Sequence, residues 1–196
     1  MVKRKLPKFQ FKPDPTQSDD RKIFQLTSHQ RDRILKWTLY TLLALFALLM
    51  QDTILSRIRI AGATTDLFVG VVFLVAMLEG AEHGGLFALL ASLFYYFSGS
   101  APGVYVVLLL TAMAIFGALY RQGYWSQCMR STMLCSCLTL VGYEMLLMLF
   151  GILLELTIWN RAGVFFTTAL LTTIALVPLY YAARSIGQIG GELWKE

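Results

Sequence analysis

Apolar residues in this chain fall in long uninterrupted blocks rather than in stripes. A surface helix keeps one polar face, so a block that is apolar all round asks for lipid or other buried helices as neighbours. The first block, 37–55, runs for 19 residues, enough for a hydrocarbon core of about 30 Å. The next two are short. Residues 67–78 are apolar for 12 positions and 84–97 for 14, with Glu79, Gly80, Ala81, Glu82 and His83 between them. Neither makes a standard span alone, so the pattern predicts two short helices, 66–79 and 80–97, folded as a hairpin. A re-entrant pair is the alternative, tolerable only if other helices cover its backbone. Ser98, Gly99, Ser100, Ala101, Pro102 and Gly103 then spell a turn. Blocks at 104–120, 132–154 and 164–183 predict three more helices, joined by a polar loop at 121–131 and a short one at 155–163.

The pattern therefore predicts an all-α polytopic membrane protein, a six-helix transmembrane bundle in which helices 2 and 3 are short. Composition agrees, since 15% of the residues are charged where a soluble domain carries about 25%. Three parts are expected: a basic tail over 1–35, a membrane domain over 36–183 and a second tail over 184–196. In the first tail Pro7, Pro13 and Pro15 among scattered Lys argue for disorder over 1–17. Asp19 and Asp20 open either a short helix, through Ile23, Phe24, Leu26, Ile34 and Leu35, resting on the inner leaflet, or a solvated tether. Gly187, Gly190 and Gly191 make the second tail flexible. A cleaved signal is not expected, because the first apolar block is too long and Arg57 and Arg59 separate it from the small residues Ala61 and Ala63.

Charge orients the bundle. Residues 1–36 carry ten Lys and Arg against four Asp, a net +6 out of +5 for the whole chain. With the N-terminus inside and six spans, Arg121, Arg130, Arg184 and Lys195 join those ten inside, and Arg57, Arg59 and Arg161 lie outside. Fourteen against three satisfies the positive-inside rule, with both termini cytoplasmic. A basic tail on a membrane protein points to anionic lipid. It does not point to nucleic acid, because no folded basic surface accompanies it.

Candidate chemistry is sparse. Glu144 sits mid-way along the fifth block. A carboxylate at that depth costs about 2.5–3.5 kcal/mol on insertion scales, so it must face protein or water. It could contact a ligand, a proton or a partner; it could equally be a neutral acid that locks the bundle, bonded to Tyr143, Thr139 or another helix. Asp52, one turn before the end of the first helix, is expected to reach the interface. Asp66 is expected to cap the second helix by accepting from free backbone amides. Glu79, Glu82 and His83 form an acidic turn, expected to be solvated. Gly80, Gly84, Ala88 and Ser92 recur at steps of four, a spacing that lets another helix backbone approach closely. Cys128, Cys135 and Cys137 lack metal or redox spacing and are expected as free thiols. No metal site, cofactor or catalytic motif is expected, and the two His are far apart.

The stretch from Ala63 through Leu67, the apolar dozen, Glu79-Gly80, and Gly84-Gly85 leading to Ala91 resembles the bacterial rod shape-determining MreD family. That family reads as Pro-Asp-Leu, an apolar run, a Gly and spaced small residues, then a Gly-rich turn ending in Gly-hydrophobic-Tyr. Here the turn is Ser98 to Val104, followed by Tyr105. Tyr143-Glu144 in the fifth block is also similar to some members. The resemblance covers about residues 37–183. Three features depart from it: Thr65 replaces the usual Pro, Tyr95-Tyr96 replaces an acid near the end of the third helix, and the N-terminal tail is long. The second departure puts in doubt any role tied to the missing acid.

The resemblance implies a non-catalytic subunit of the cell-elongation machinery in the cytoplasmic membrane. It implies an MreC-like single-span protein as direct partner. Through that complex the chain would link MreB-like filaments to a peptidoglycan polymerase and its class B penicillin-binding protein. Gly80, Gly84, Ala88 and Ser92 are then the candidate docking face, with Asp66 and Glu144 as further candidate partner contacts. A competing expectation is the substrate-binding subunit of an energy-coupling factor vitamin transporter, which also has six short helices and small-residue docking motifs. Its ligand cavity would have to be built in the outer half, from Asp52, Tyr105, Trp159 and Asn160.

Overall fold

The computed structural model describes residues 28–57, 62–124 and 129–189. Among them every long element is helical: α1 (Ser28–Thr53), α2 (Leu67–Glu79), α3 (Ala81–Phe97), α4 (Tyr105–Tyr124), α5 (Met129–Leu153) and α6 (Ala162–Gly187). The chain is a helical membrane bundle, as the apolar blocks predict. Helices α1, α4, α5 and α6 lie in the four segments long and apolar enough to cross a membrane.

Helix α2 organises the bundle. All residues from Leu67 to Leu78 are buried, and α2 touches each of the other five helices. It carries no polar side chain over those twelve positions, so nothing favours turning any face outward. The other helices ring it in the order α1, α6, α5, α4, α3. Rings of α1 and α3 meet where the circle closes, Trp37 and Tyr40 lying 5.9 and 6.4 Å from Phe87. At 13 residues, α2 is about 20 Å long, short of a ~30 Å core. Its enclosure makes that tolerable, because irregular backbone at membrane depth must be covered by protein.

The outer helices each present a narrow inner face. On α1 that face is Tyr40, Ala44, Ala47 and Leu48, while Leu42, Leu45, Phe46 and Leu49 are exposed. On α6 it is Ala169, Thr172, Leu176, Tyr180 and Ala183, with Leu170, Ile174 and Tyr181 exposed. Such outward apolar residues suit lipid.

Several expected boundaries shift outward by a turn. Helix α1 starts at Ser28, so residues 28–35 continue the first span instead of forming a separate interfacial helix. The expected disordered segment 1–17 and the start of that helix at Asp19 lie outside the described residues, as do Gly190 and Gly191. Helix α4 runs on to Tyr124 and α5 begins at Met129, so both enter the stretch expected as a polar loop. Gly187 ends α6 rather than opening a flexible tail.

Candidate functional site

The small-residue face predicted for a partner is used inside the chain. Gly84, Ala88 and Ser92 are all buried. A Cβ on Gly84 would sit 2.4 Å from the Ala76 Cα and 2.7 Å from its carbonyl oxygen, so α3 packs there directly on the α2 backbone. Ser92 Oγ lies 3.2 Å from Thr111 Oγ1 of α4 and donates to the Leu89 carbonyl at 2.9 Å. Gly80 serves the turn: its φ of 88° and ψ of 174° fall in a region essentially reserved for glycine. The chain thereby reverses direction on one residue, and α3 starts at the next. Expecting Gly80, Gly84, Ala88 and Ser92 as a docking face is therefore corrected. A helix that is apolar on every side needs close backbone neighbours, and α2 takes this one.

Asp66 does stand before the first turn of α2, but its side chain caps nothing. Gln51 of α1 does the capping, its Oε1 accepting from the Phe68 N–H at 3.0 Å. The Gln51 Nε2 donates to Asp66 Oδ1 at 2.9 Å, and the Tyr95 hydroxyl of α3 reaches the same oxygen at 3.5 Å. The Asp66 N–H donates to Thr172 Oγ1 of α6 at 2.9 Å. One carboxylate thus ties α1, α2 and α3 together, and its own backbone amide adds α6. Asp52 is exposed, as expected at an interface, and accepts from Ser100 Oγ at 3.3 Å.

Glu144 is buried, with 3% of its surface exposed, and its Oε1 has no hydrogen-bond partner. It lies within electrostatic reach of Asp66 and Tyr95. Neither Tyr143 nor Thr139 bonds to it: Thr139 turns to the Cys135 carbonyl at 2.8 Å, and the buried Tyr143 packs edge-on to Phe73 at 5.6 Å. A buried acceptor without a partner costs about 1–3 kcal/mol. Glu144→Met, of similar length, is therefore expected to keep or raise the thermal midpoint of the purified protein. A drop worth more than about 2 kcal/mol would show that Glu144 makes a stabilising contact after all.

At the end of the bundle where α1 begins and α6 ends, Glu79 departs from the expected solvated turn. Lys36 Nζ lies 2.7 Å from Glu79 Oε2, with only 9% and 10% of the two side chains exposed. The Tyr40 hydroxyl donates to Glu79 Oε1 at 2.7 Å and lies 3.4 Å from the Ala183 carbonyl of α6. Burial between α1 and α6 explains the difference: a carboxylate withdrawn from water needs a cation and donors around it. Glu82 and His83 do remain exposed, the His83 ring stacking at 6.4 Å on Trp37. Arg121 of α4 donates through Nη1 to the Met77 carbonyl, which lies in the last turn of α2, where no amide within the helix remains to donate to it.

Sequence reasoning missed Lys36, Tyr40, Gln51 and Arg121 as structural contacts. One signal was available: Lys36 and Tyr40 are four apart on α1, hence on one face. Among the described residues no group of three or more His, Cys, Asp and Glu could hold a metal. Cys135 and Cys137 are free thiols, and Cys128 lies outside the described residues. No protein-family model, curated protein or solved structure matches this chain. What the arrangement does chemically is fasten helices: polar groups bind both ends of α2 to its neighbours.

Proposed function

We propose that this chain is a non-catalytic scaffold subunit of the bacterial cell-elongation machinery, of the MreD type. The observation that carries the proposal is the pattern from Ala63 to Tyr105. Its motif residues fall on the elements that build the centre of the bundle: Asp66 opens the enclosed helix, Gly80 turns it, and Gly84, Ala88 and Ser92 seat α3. A bundle made rigid by a fully enclosed helix suits a platform on which single-span proteins dock.

In this reading the chain sits in the cytoplasmic membrane with both termini cytoplasmic, following the fourteen-to-three charge bias. The basic tail lies against anionic lipid. An MreC-like protein is the direct partner, a peptidoglycan polymerase and a class B penicillin-binding protein join through it, and MreB-like filaments are linked indirectly. With the small-residue face taken up internally, docking falls to the outward apolar surfaces. Photo-crosslinkers at Phe46, Leu90, Phe116, Leu138 and Ile174, each more than half exposed, are expected to capture an MreC-like protein from at least one helix. A crosslinker at buried Ala88 should capture none. Silence from all five positions would count against the scaffold reading.

One observation favours the transporter alternative. Gln51, Asp66, Tyr95 and Thr172 gather polar groups in the half of the bundle where α1 ends and α2 begins, with the unpartnered Glu144 Oε1 nearby. A substrate-binding subunit would place a vitamin there and would bind paired ATPases instead of MreC.

A further inference from the structure

We propose that Arg121 and Ser131 form a phosphate-binding site at the end of the bundle where α1 begins and α6 ends, occupied by the phosphate of an anionic phospholipid. Two buried donor groups here have no acceptor. Arg121 uses Nη1 to cap the Met77 carbonyl, yet its Nε is buried and without a partner. Ser131 is 5% exposed, and its Oγ is buried and equally unpartnered. Buried donors are rarely left so in a folded protein, and an unexplained one calls for an occupant.

The two donors belong to facing helix ends. Arg121 is in the last turn of α4, and Ser131 is in the first turn of α5. A Cβ on Gly117 of α4 would fall 2.6 Å from Thr139 Oγ1 of α5, so one turn further on Arg121 stands level with Cys135, which follows Ser131 by one helical turn on the same face. With Nη1 committed to Met77, the remaining Nε edge is the side-on fork of a guanidinium, whose spacing matches two oxygens of a phosphate. Ser131 supplies a third donor, and the α5 dipole has its positive end there. Arg130, exposed beside Ser131, adds a second guanidinium at the rim. No carboxylate is paired with Arg121 among the described residues.

Depth and surroundings favour a lipid over a free ion. Leu134 and Leu138 lie on the same stripe of α5 as Ser131 and are 55% and 62% exposed, so an apolar surface continues from Ser131 toward the middle of the bundle. Acyl chains would lie on it.

The test uses the full chain in neutral detergent, its thermal midpoint read by size-exclusion chromatography after heating. Phosphatidylglycerol is expected to raise the midpoint by about 4 °C at saturating concentration, while phosphatidylcholine leaves it nearly unchanged. Inorganic phosphate is the third arm. If it alone reproduces the full shift, the site holds free phosphate and the lipid assignment falls. Arg121→Gln is expected to abolish the response, but it also weakens the α2 cap and can unfold the chain. Ser131→Asp avoids that difficulty by placing a carboxylate where the phosphate would sit. This variant is expected to melt higher than the parent without lipid and to lose the phosphatidylglycerol shift. A Ser131→Asp protein that keeps the full shift, a parent that responds to neither lipid nor phosphate, or one that responds equally to both lipids would overturn the site.

Discussion

Gly84→Leu is expected to leave almost no folded protein in the membrane. The Cβ alone would meet the Ala76 backbone at 2.4 Å, and backbone cannot swing aside as a side-chain tip does. Overpacking a core ordinarily costs about 1–3 kcal/mol. Here the clash falls on the contact between α3 and the one helix that touches all the others. Relief requires α3 to lift off α2, opening the bundle where Ala88 and Ser92 are fully buried. Even Gly84→Ala should lower the thermal midpoint sharply. The check is a fluorescent fusion, with membrane yield and the monodisperse chromatographic peak compared across parent, Ala and Leu variants. Parental yield and peak shape for Gly84→Leu would show that this glycine faces lipid or a partner, and the internal assignment of the small-residue face would be wrong.

The second large effect belongs to the ion pair at the same end of α2, three residues beyond Ala76. Lys36→Ala is expected to destabilise by about 3–5 kcal/mol, because it leaves the Glu79 carboxylate buried with the Tyr40 hydroxyl as its remaining contact. Glu79→Ala should cost about as much by stranding the Lys36 ammonium. Removing both charges together behaves differently. Lys36→Met with Glu79→Gln keeps the side-chain volumes and an acceptor for Tyr40, so the double variant should recover most of the loss. Two well-packed neutral groups often match or exceed a buried ion pair. A double-mutant cycle on thermal midpoints measures the coupling, and for a chain of this size each kcal/mol is about 2–4 °C. Single variants within about 0.5 kcal/mol of the parent would mean that the pair is effectively solvated, as exposed pairs are.

The helices were legible because apolar blocks end where charge and glycine begin. Glu79-Gly80 split what length alone would have merged, and the positive φ at Gly80 is the physical reason for a glycine there. The enclosed position of α2 was only half legible: a dozen residues without a polar side chain rule out a watery face, but lipid and protein are alike to them. The spacing of Gly84, Ala88 and Ser92 predicted a close helix contact correctly and its owner wrongly. Small residues state how near a backbone can come; they do not state whose backbone it is. The Glu79 environment was hidden for a different reason. Its cation lies 43 residues earlier and its Tyr40 contact 39 residues earlier, so only the packing of α1 on α2 unites them. Gln51 took the capping role assigned to Asp66, because a longer side chain on a neighbouring helix could reach the Phe68 amide while the carboxylate turned toward Gln51 and Tyr95. Glu144 is where expectation and structure both stop at an isolated carboxyl: buried as foreseen, without any of the bonds foreseen for it.

The scaffold reading stands on partners, and partners are what one measurement can count. The full chain is extracted from native membranes in mild detergent, captured by a terminal tag, and every co-eluting protein and small molecule is identified by mass spectrometry. Recovery of a single-span coiled-coil protein together with a peptidoglycan polymerase and a class B penicillin-binding protein is the expected result. Recovery of paired ATPases with a bound vitamin, and none of those proteins, would contradict it and make the chain a transporter subunit.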